Sequence, residues 1–152
     1  MATVSQSTTG FSFSRALIAG LIGAVLVDAF YIPVNHLPFV GTYEFIASGW
    51  VGAAAYTSQA YMWLGLATHL LVSIVWAMLY MVVWPRVGSL SNWIVGGVAW
   101  GLVVYLAMDG LMLARGIFGP QTVQSVLISV IAHIAFFGIP VAFYLSREPR
   151  SA

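Results

Sequence analysis

The sequence predicts an all-α integral membrane protein, a bundle of four transmembrane helices. Only 6% of the 152 residues are charged and 61% are hydrophobic, whereas a typical soluble domain has about 25% charged residues. Four apolar runs are also long enough to cross a bilayer, for which about 20 residues are needed. A soluble chain of this length would leave much of its apolar surface in water, whereas in a bilayer the lipid solvates that surface.

The four predicted spans cover residues 16–32, 61–83, 93–113 and 123–145, within a bundle of residues 16–146. Proline, glycine and arginine residues separate these runs, as expected of loops between membrane helices. Residues 1–15 are predicted to be a flexible cytoplasmic N-terminus, and residues 147–152 a cytoplasmic tail. Asp28 lies where the apolar region of a signal peptide would end, so an uncleaved first helix is favoured over a signal or transit peptide.

The stretch from residue 39 to residue 59 allows two interpretations. It is apolar enough for a fifth span, but it contains Glu44 together with several glycine, serine and threonine residues. With four spans, four of the five arginines lie on one side of the membrane, whereas with five spans they divide between the two sides. Because positively charged residues collect on the cytoplasmic side, we predict a re-entrant or interfacial segment on the outer side. Both chain termini then face the cytoplasm.

A short pattern recurs in the first and third predicted spans and indicates an internal repeat. A glycine precedes Asp28 by eight residues, and a glycine precedes Asp109 by the same interval. In the second and fourth spans, His69 and His133 are each followed at one offset by a tyrosine. The first two helices are therefore predicted to repeat as the next two, around a pseudo-two-fold axis along the membrane normal. Chance is the alternative, because short patterns of this kind are common in membrane helices.

Four ionisable side chains lie inside the predicted spans: Asp28, His69, Asp109 and His133. Such groups are costly in lipid, so they usually face the bundle interior and mark functional sites. At 1.5 Å per residue, the two histidines lie about 12 and 15 Å below the starts of their helices. All four are therefore expected at similar depth in the outer half of the membrane, with His36 in the outer loop above them.

This cluster of histidine and aspartate predicts a metal or haem site. His69 and His133 are the predicted cofactor ligands, since two imidazoles from different helices suit haem b or a transition metal. Asp28, Asp109 and His36 are predicted to complete a metal shell or to orient the imidazoles. The chain contains no cysteine, which excludes thiolate ligands and covalently attached haem. A plainer interpretation is that these residues only form hydrogen bonds between helices.

Three classes of function are compatible with these features. The first is a membrane protein that binds a metal or haem in its His/Asp cluster for redox chemistry. The second is a non-catalytic accessory subunit of a larger membrane complex, which the short loops and glycine-rich helices favour. The third is a small ion or proton transporter, in which the ionisable groups relay protons or bind a cation. Whether the protein is an enzyme is left open by the sequence.

The expected partners are the lipid bilayer and either further copies of the chain or a larger membrane complex, because so small a bundle encloses little volume. The net charge of +1 argues against a nucleic-acid partner, which would need a basic stripe. The run from residue 63 to residue 105, with its Trp-Ala-Met-Leu-Tyr sequence and Pro-Arg turn, resembles small four-helix inner-membrane proteins of bacteria. This general resemblance implies a multi-pass protein of the cell inner membrane and assigns no residue roles.

Overall fold

The computed structural model describes residues 12–88 and 92–147 of the chain. Over these two ranges the secondary structure is helical, without β-strands. The elements are α1 (Phe13–Val34), α2 (Phe39–Val51) with a short 3-10 helix after it (Gly52–Tyr56), α3 (Ala60–Val87), α4 (Trp93–Ala114), α5 (Val123–Ile131), a π-helical segment (Ala132–Gly138) and α6 (Ile139–Ser146). The last three follow one another without a break and form one long helix.

Four helices are long and apolar enough to cross a membrane: α1, α3, α4 and the continuous helix Val123–Ser146. The shortest have 22 residues, which is about 33 Å at 1.5 Å per residue, against a hydrocarbon core of about 30 Å. α2 has 13 residues and reaches only about 20 Å. The predicted all-α membrane bundle of four helices is therefore confirmed, and the stretch 39–59 holds a short helix instead of a fifth span.

The helices extend slightly beyond the predicted spans, because flanking residues stay helical outside the apolar runs. α1 begins at Phe13, so Ser14 and Arg15 belong to this helix and not to the N-terminal segment that was expected to precede it. Most of that segment, residues 1–11, lies outside the described residues, as does most of the expected tail, residues 148–152.

Arg15 connects the start of α1 to the end of α6. Its guanidinium donates hydrogen bonds to the carbonyl oxygens of Tyr144 and Leu145, at 3.3 and 3.0 Å, and to that of Arg147. A cation here also interacts favourably with the negative end of the helix dipole. The first and last spans therefore meet at one end of the bundle, called the arginine end below. The opposite end carries α2 and is called the α2 end.

The hydrophobic core lies in the half of the bundle nearer the arginine end and is built around Trp100. The Trp100 ring packs edge-on against Trp76 and Tyr80, with ring centroids 5.7 and 5.6 Å apart. Its Nε1 also donates a 3.2 Å hydrogen bond to the carbonyl oxygen of Trp76. Edge-to-face aromatic pairs are favourable beyond the area they bury, so these contacts fix α3 against α4. The other buried members of the cluster are Ala19, Ala77, Val104, Phe137, Val141, Ala142 and Leu145.

Glycines let the helices approach closely at two related crossings. A Cβ atom on Gly20 of α1 would lie 2.5 Å from the Cα atom of Ile74 in α3. A Cβ atom on Gly138 of the π segment would lie 2.7 Å from the Cα atom of Gly101 in α4. Ile74 and Gly138 each follow the histidine of their span by five residues. The two crossings thus occupy matching positions in the two halves, in agreement with the predicted internal repeat.

The fourth span widens into a π-helix around His133. The N–H of Ile139 donates to the carbonyl oxygen of Ile134, five residues earlier, which is the π-helical pattern. Pro140 follows and has no N–H to donate, so the regular α-helical ladder is interrupted at this point. π-helical turns are rare and often lie at functional sites. The helix around His69, by contrast, is regular α-helix.

α2 packs on the start of α3 with one face buried. Tyr43, Ala47 and Ser48 are buried, whereas Trp50 is 64% exposed. Positions three or four residues apart share a face of an α-helix, so Tyr43 and Ala47 lie on one buried face, with Ser48 at its edge. A Cβ atom on Gly65 of α3 would lie 1.8 Å from the carbonyl oxygen of Tyr43. The backbones of α2 and α3 therefore touch directly, and a side chain on Gly65 would separate them.

Candidate functional site: two carboxylate–imidazole pairs

The first pair joins Asp28, near the α2 end of α1, to His69 in α3. The Nε2 atom of His69 lies 3.2 Å from Oδ1 of Asp28 and 3.5 Å from the carbonyl oxygen of Ala24. Both neighbours of this nitrogen are acceptors, so Nε2 carries a hydrogen and Nδ1 of the neutral ring keeps the lone pair. The side chains of His69 and Asp28 are 18% and 20% exposed, so the protein shields most of the contact.

Tyr43 of α2 covers this first pair. Its phenol O–H donates a 2.7 Å hydrogen bond to Oδ2 of Asp28, so both carboxylate oxygens have a partner. Burial raises the pKa of the Tyr43 phenol above its ordinary value, and the hydrogen bond to Asp28 and the charge of Asp28 raise it further. Tyr43 therefore stays protonated and remains a donor at neutral pH.

The second pair joins Asp109 of α4 to His133 of the π segment through Ser129. Oγ of Ser129 donates a 2.6 Å hydrogen bond to Oδ2 of Asp109. Nδ1 of His133 lies 2.8 Å from the carbonyl oxygen of Ser129 and 3.5 Å from its Oγ. A carbonyl oxygen only accepts, so Nδ1 carries the hydrogen and Nε2 keeps the lone pair. Ser129 thus contacts both the carboxylate and the imidazole.

The two pairs match in position and differ in detail. In each half, an aspartate from one span and a histidine from the next lie together, and a hydroxyl group donates to the carboxylate. Asp28 and His69 are in direct contact, whereas Ser129 lies between Asp109 and His133. The unprotonated ring nitrogen also differs, since it is Nδ1 in His69 and Nε2 in His133.

The structure places four of the five predicted site residues in these pairs and leaves His36 apart from them. His36 lies in the loop after α1 with a backbone φ of 52°, and with Asn35 and Ser125 it lines a polar cleft. No group of three or more histidine and acidic residues that could hold a metal ion occurs in the part of the chain that the structure describes. The predicted ligands therefore form two pairs and a separate loop residue, and metal or haem binding stays a prediction.

Tyr43 is the site residue that the sequence did not single out. It belongs to the stretch interpreted as re-entrant or interfacial, and tyrosines near membrane interfaces usually act as anchors. One signal was available, because Tyr43 shares a helical face with the small residue Ala47, four positions on. Only the return of α2 over the end of α1 brings its hydroxyl group to Asp28.

Further polar side chains follow His69 along α3 towards the arginine end. Ser73 lies one turn on and is 5% exposed. Tyr80 lies about 16 Å further along the helix axis than His69, at 1.5 Å per residue. Among the described residues, its hydroxyl oxygen is the one buried side-chain polar atom without a hydrogen-bond partner. Ser73 and Tyr80 thus continue a polar line from the first pair into the core.

Fold and site together define the class of this protein as a multi-pass helical membrane protein with a carboxylate–imidazole pair in each half. Comparison with protein-family models, with curated proteins and with solved structures found no match to the chain. The chemistry of the two pairs is therefore the guide to its function.

Proposed function

We propose that this protein moves protons across the membrane by way of its two carboxylate–imidazole pairs. The 3.2 Å contact between Nε2 of His69 and Oδ1 of Asp28 carries the proposal. A carboxylate and an imidazole in contact can exchange one proton, and intramembrane aspartate and histidine residues form the relays of pumps and transporters. The related arrangement of Asp109, Ser129 and His133 in the second half supports the same function.

Proton transfer within the first pair needs only its two side chains. A proton that binds Nδ1 of neutral His69 makes an imidazolium, and the proton on Nε2 then passes to Oδ1 of Asp28. The Nε2–H bond breaks, the Oδ1–H bond forms, and the ring is left neutral with its hydrogen on Nδ1. Loss of the proton from Asp28 and return of the ring to its first tautomer reset the pair. Tyr43 holds the other carboxylate oxygen in place meanwhile.

In the second pair, the proton acceptor is Nε2 of His133, because Nδ1 is engaged by the carbonyl oxygen of Ser129. The hydroxyl group of Ser129 can both donate and accept. It lies 2.6 Å from Oδ2 of Asp109 and 3.5 Å from Nδ1 of His133. After Nε2 has taken up a proton, the Nδ1–H bond can break as Oγ accepts that proton, while the hydroxyl proton of Ser129 passes to Oδ2 of Asp109 and leaves the ring neutral.

The polar line along α3 supports a route towards the arginine end. The hydroxyl groups of Ser73 and Tyr80 can each donate and accept a proton. They are separated by about 10 Å along the helix, at 1.5 Å per residue. Because this is longer than one hydrogen bond, the proposed route includes bridging water molecules, which bind buried polar groups at little cost.

The proposal extends to location and assembly. We place the protein in the cell inner membrane with both termini in the cytoplasm, because four of the five arginines then lie on the cytoplasmic side. The α2 end, with both pairs, then faces outward. A single four-helix bundle encloses little volume, so we propose that the chain works as a homo-oligomer or within a larger membrane complex.

A second candidate function is binding of haem b or a transition metal by the same residues. One observation favours it, since Nδ1 of His133 is held by a backbone carbonyl while Nε2 keeps its lone pair, as in many metal-ligating histidines. Elemental analysis and an absorption spectrum of the purified protein test this candidate. A stoichiometric metal or a Soret band that disappears in His133→Ala would support it. Purified protein with neither a stoichiometric metal nor a Soret band would rule out this second candidate function.

Proton flux into liposomes tests the main proposal. When an inside-negative potassium diffusion potential is applied, the internal pH should fall faster in liposomes that contain the protein than in empty liposomes. A trapped pH-sensitive dye reports this internal pH. Asp28→Asn and Asp109→Asn should each reduce the flux several-fold, because asparagine keeps the shape of the side chain but cannot take up the proton. Glu44→Gln is the matched control, since its carboxylate belongs to neither pair, and it should keep wild-type flux. Unchanged flux in both asparagine variants would reject the proposal.

A further inference from the structure

An open cleft lies beside Asp109, between the end of α4 and the start of α5. Its volume is about 260 Å³. The walls around the carboxylate are mostly apolar and include Tyr105, Leu106, Leu113, Phe118 and Val126. Leu106 and Leu113 are 60% and 59% exposed, so the cleft opens sideways, towards the lipid, and not into the core.

In the first half of the bundle, by contrast, α2 covers Asp28 with the side chain of Tyr43. After α4 the chain reaches α5 through a loop of residues 115–122 with no helix between them, so the counterpart of α2 is missing beside Asp109. Gly110, next to Asp109, also lines the cleft. A Cβ atom on Gly110 would meet no atom within 4 Å, so the space beside the carboxylate is large enough for a ligand group.

We propose that this cleft binds an amphiphilic organic monocation, with its positive charge beside the Asp109 carboxylate and its apolar groups against the cleft walls. The carboxylate supplies the charge complementarity, since it is the one ionisable acid among the residues that line the cleft. No lining residue is cationic, and Arg115, which follows α4, is not among them. An anion would therefore meet only repulsion in this cleft.

The apolar walls select against small inorganic cations. Calcium takes six to eight oxygen ligands and magnesium retains several water molecules, whereas this cleft presents one carboxylate in an apolar surround. Aromatic faces instead attract organic ammonium groups through cation–π contacts. Tyr105 and Phe118 are placed for such contacts, and Phe118 is held by stacking on Phe45 of α2, with ring centroids 5.4 Å apart.

This cation site extends the proposed function, and it rests on that function only in the exchange of a cation for a proton at Asp109. A cation beside Asp109 would occupy the carboxylate that otherwise takes up a proton, so the second pair would exchange one for the other. Binding itself does not depend on proton movement. Failure of proton flux with intact cation binding would therefore reject the proposed function alone, and the reverse result would reject the cation site alone.

Binding of benzyltrimethylammonium to the purified full-length protein tests the site. Equilibrium dialysis in a non-ionic detergent should show saturable binding to the wild-type chain. Asp109→Asn should weaken binding about tenfold or more, because it removes the attraction between opposite charges. Gly110→Val should have a similar effect by filling the cleft, while leaving the carboxylate and the packed core in place. The neutral carbon isostere of the probe, neopentylbenzene, should compete at least about tenfold less well for the same reason.

Two variants serve as matched controls for this experiment. Ala107→Val places a valine on the same exposed side of α4 but outside the residues that line the cleft, and it should bind the probe as the wild type does. Asp28→Asn removes the other carboxylate and should likewise leave binding unchanged. The proposal is overturned if the wild type shows no saturable binding, if Asp109→Asn or Gly110→Val binds normally, or if Asp28→Asn loses binding equally.

Discussion

The Nε2 atom of His69 lies 3.2 Å from a carboxylate oxygen of Asp28, and the two residues come from different membrane spans. A related contact in the second half joins Asp109 to His133 through Ser129. Isolated charges inside a membrane are costly, and each pair offsets that cost by bringing a proton donor to a carboxylate. The same contacts that hold neighbouring spans together therefore provide the groups that bind protons.

The two histidines are expected to adopt opposite neutral tautomers. In His69 the hydrogen lies on Nε2, which faces two acceptors, and in His133 it lies on Nδ1, which faces the Ser129 carbonyl oxygen. Nitrogen-15 chemical shifts of labelled histidine at alkaline pH distinguish the two forms. His36, in the loop after α1, provides an internal reference. Finding one tautomer in both rings would show that at least one of these hydrogen bonds is absent.

Replacement of Tyr43 by phenylalanine should loosen α2 from the bundle. The change removes only the hydroxyl group that donates to Asp28 and should lower the free energy of unfolding by about 1 to 3 kcal/mol, as expected for a hydrogen bond to a charged group. Thermal unfolding in detergent and hydrogen exchange of the α2 amides measure this effect. Tyr56→Phe is the control, because Tyr56 is 55% exposed, and it should behave as the wild type.

Replacement of glycine by alanine should have different effects on stability at Gly20 and at Gly110. Gly20→Ala puts a methyl group 2.5 Å from the Cα atom of Ile74 and should destabilise the protein by about 1 to 3 kcal/mol through overpacking. Gly110→Ala meets open space and should be neutral or slightly stabilising, because alanine favours helix more than glycine does. Unfolding curves of the two variants under one set of conditions give the comparison. Equal stabilities would contradict the close crossing of α1 and α3.

Replacement of Ser129 by alanine should weaken the second pair. It deprives the half-buried Asp109 carboxylate of its 2.6 Å hydrogen bond and should cost about 1 to 3 kcal/mol in unfolding free energy. Proton flux should fall as well, since the hydroxyl group lies between carboxylate and imidazole. Ser146→Ala, near the exposed end of α6, is the control and should alter neither quantity. A stable Ser129→Ala variant with full flux would remove Ser129 from the proton route.

The number of spans could be predicted because it follows from local sequence, whereas the depth of the ionisable residues in the membrane stays a prediction. Apolar run length determines which segments can cross the bilayer, and the helical rise converts residue number into depth. The equal spacing of Asp28 and Asp109 from their glycines also indicated the internal repeat, and the structure places a close helix contact at each of these glycines, Gly20 and Gly101.

The partners of each ionisable residue could not be predicted, because they depend on how helices rotate and pack. One shared cluster and two separate pairs have the same depth pattern, so sequence spacing does not distinguish them. Tyr43 reaches Asp28 only because Gly65 lets α2 lie directly on the α3 backbone. The π-helical segment likewise lies in an otherwise ordinary apolar run, just before Pro140, and apolar run length does not distinguish it from regular α-helix.

The most direct test of proton movement is the null potential, the membrane voltage at which flux through the reconstituted protein stops. For a proton pathway this voltage should shift by about 59 mV for each unit of pH difference, the value for a process that moves one charge. It should not change with the sodium or potassium gradient. A double Asp28→Asn, Asp109→Asn variant should show no flux above empty liposomes. A null potential that follows sodium or potassium, or wild-type flux in the double variant, would contradict the proposed role of the two pairs.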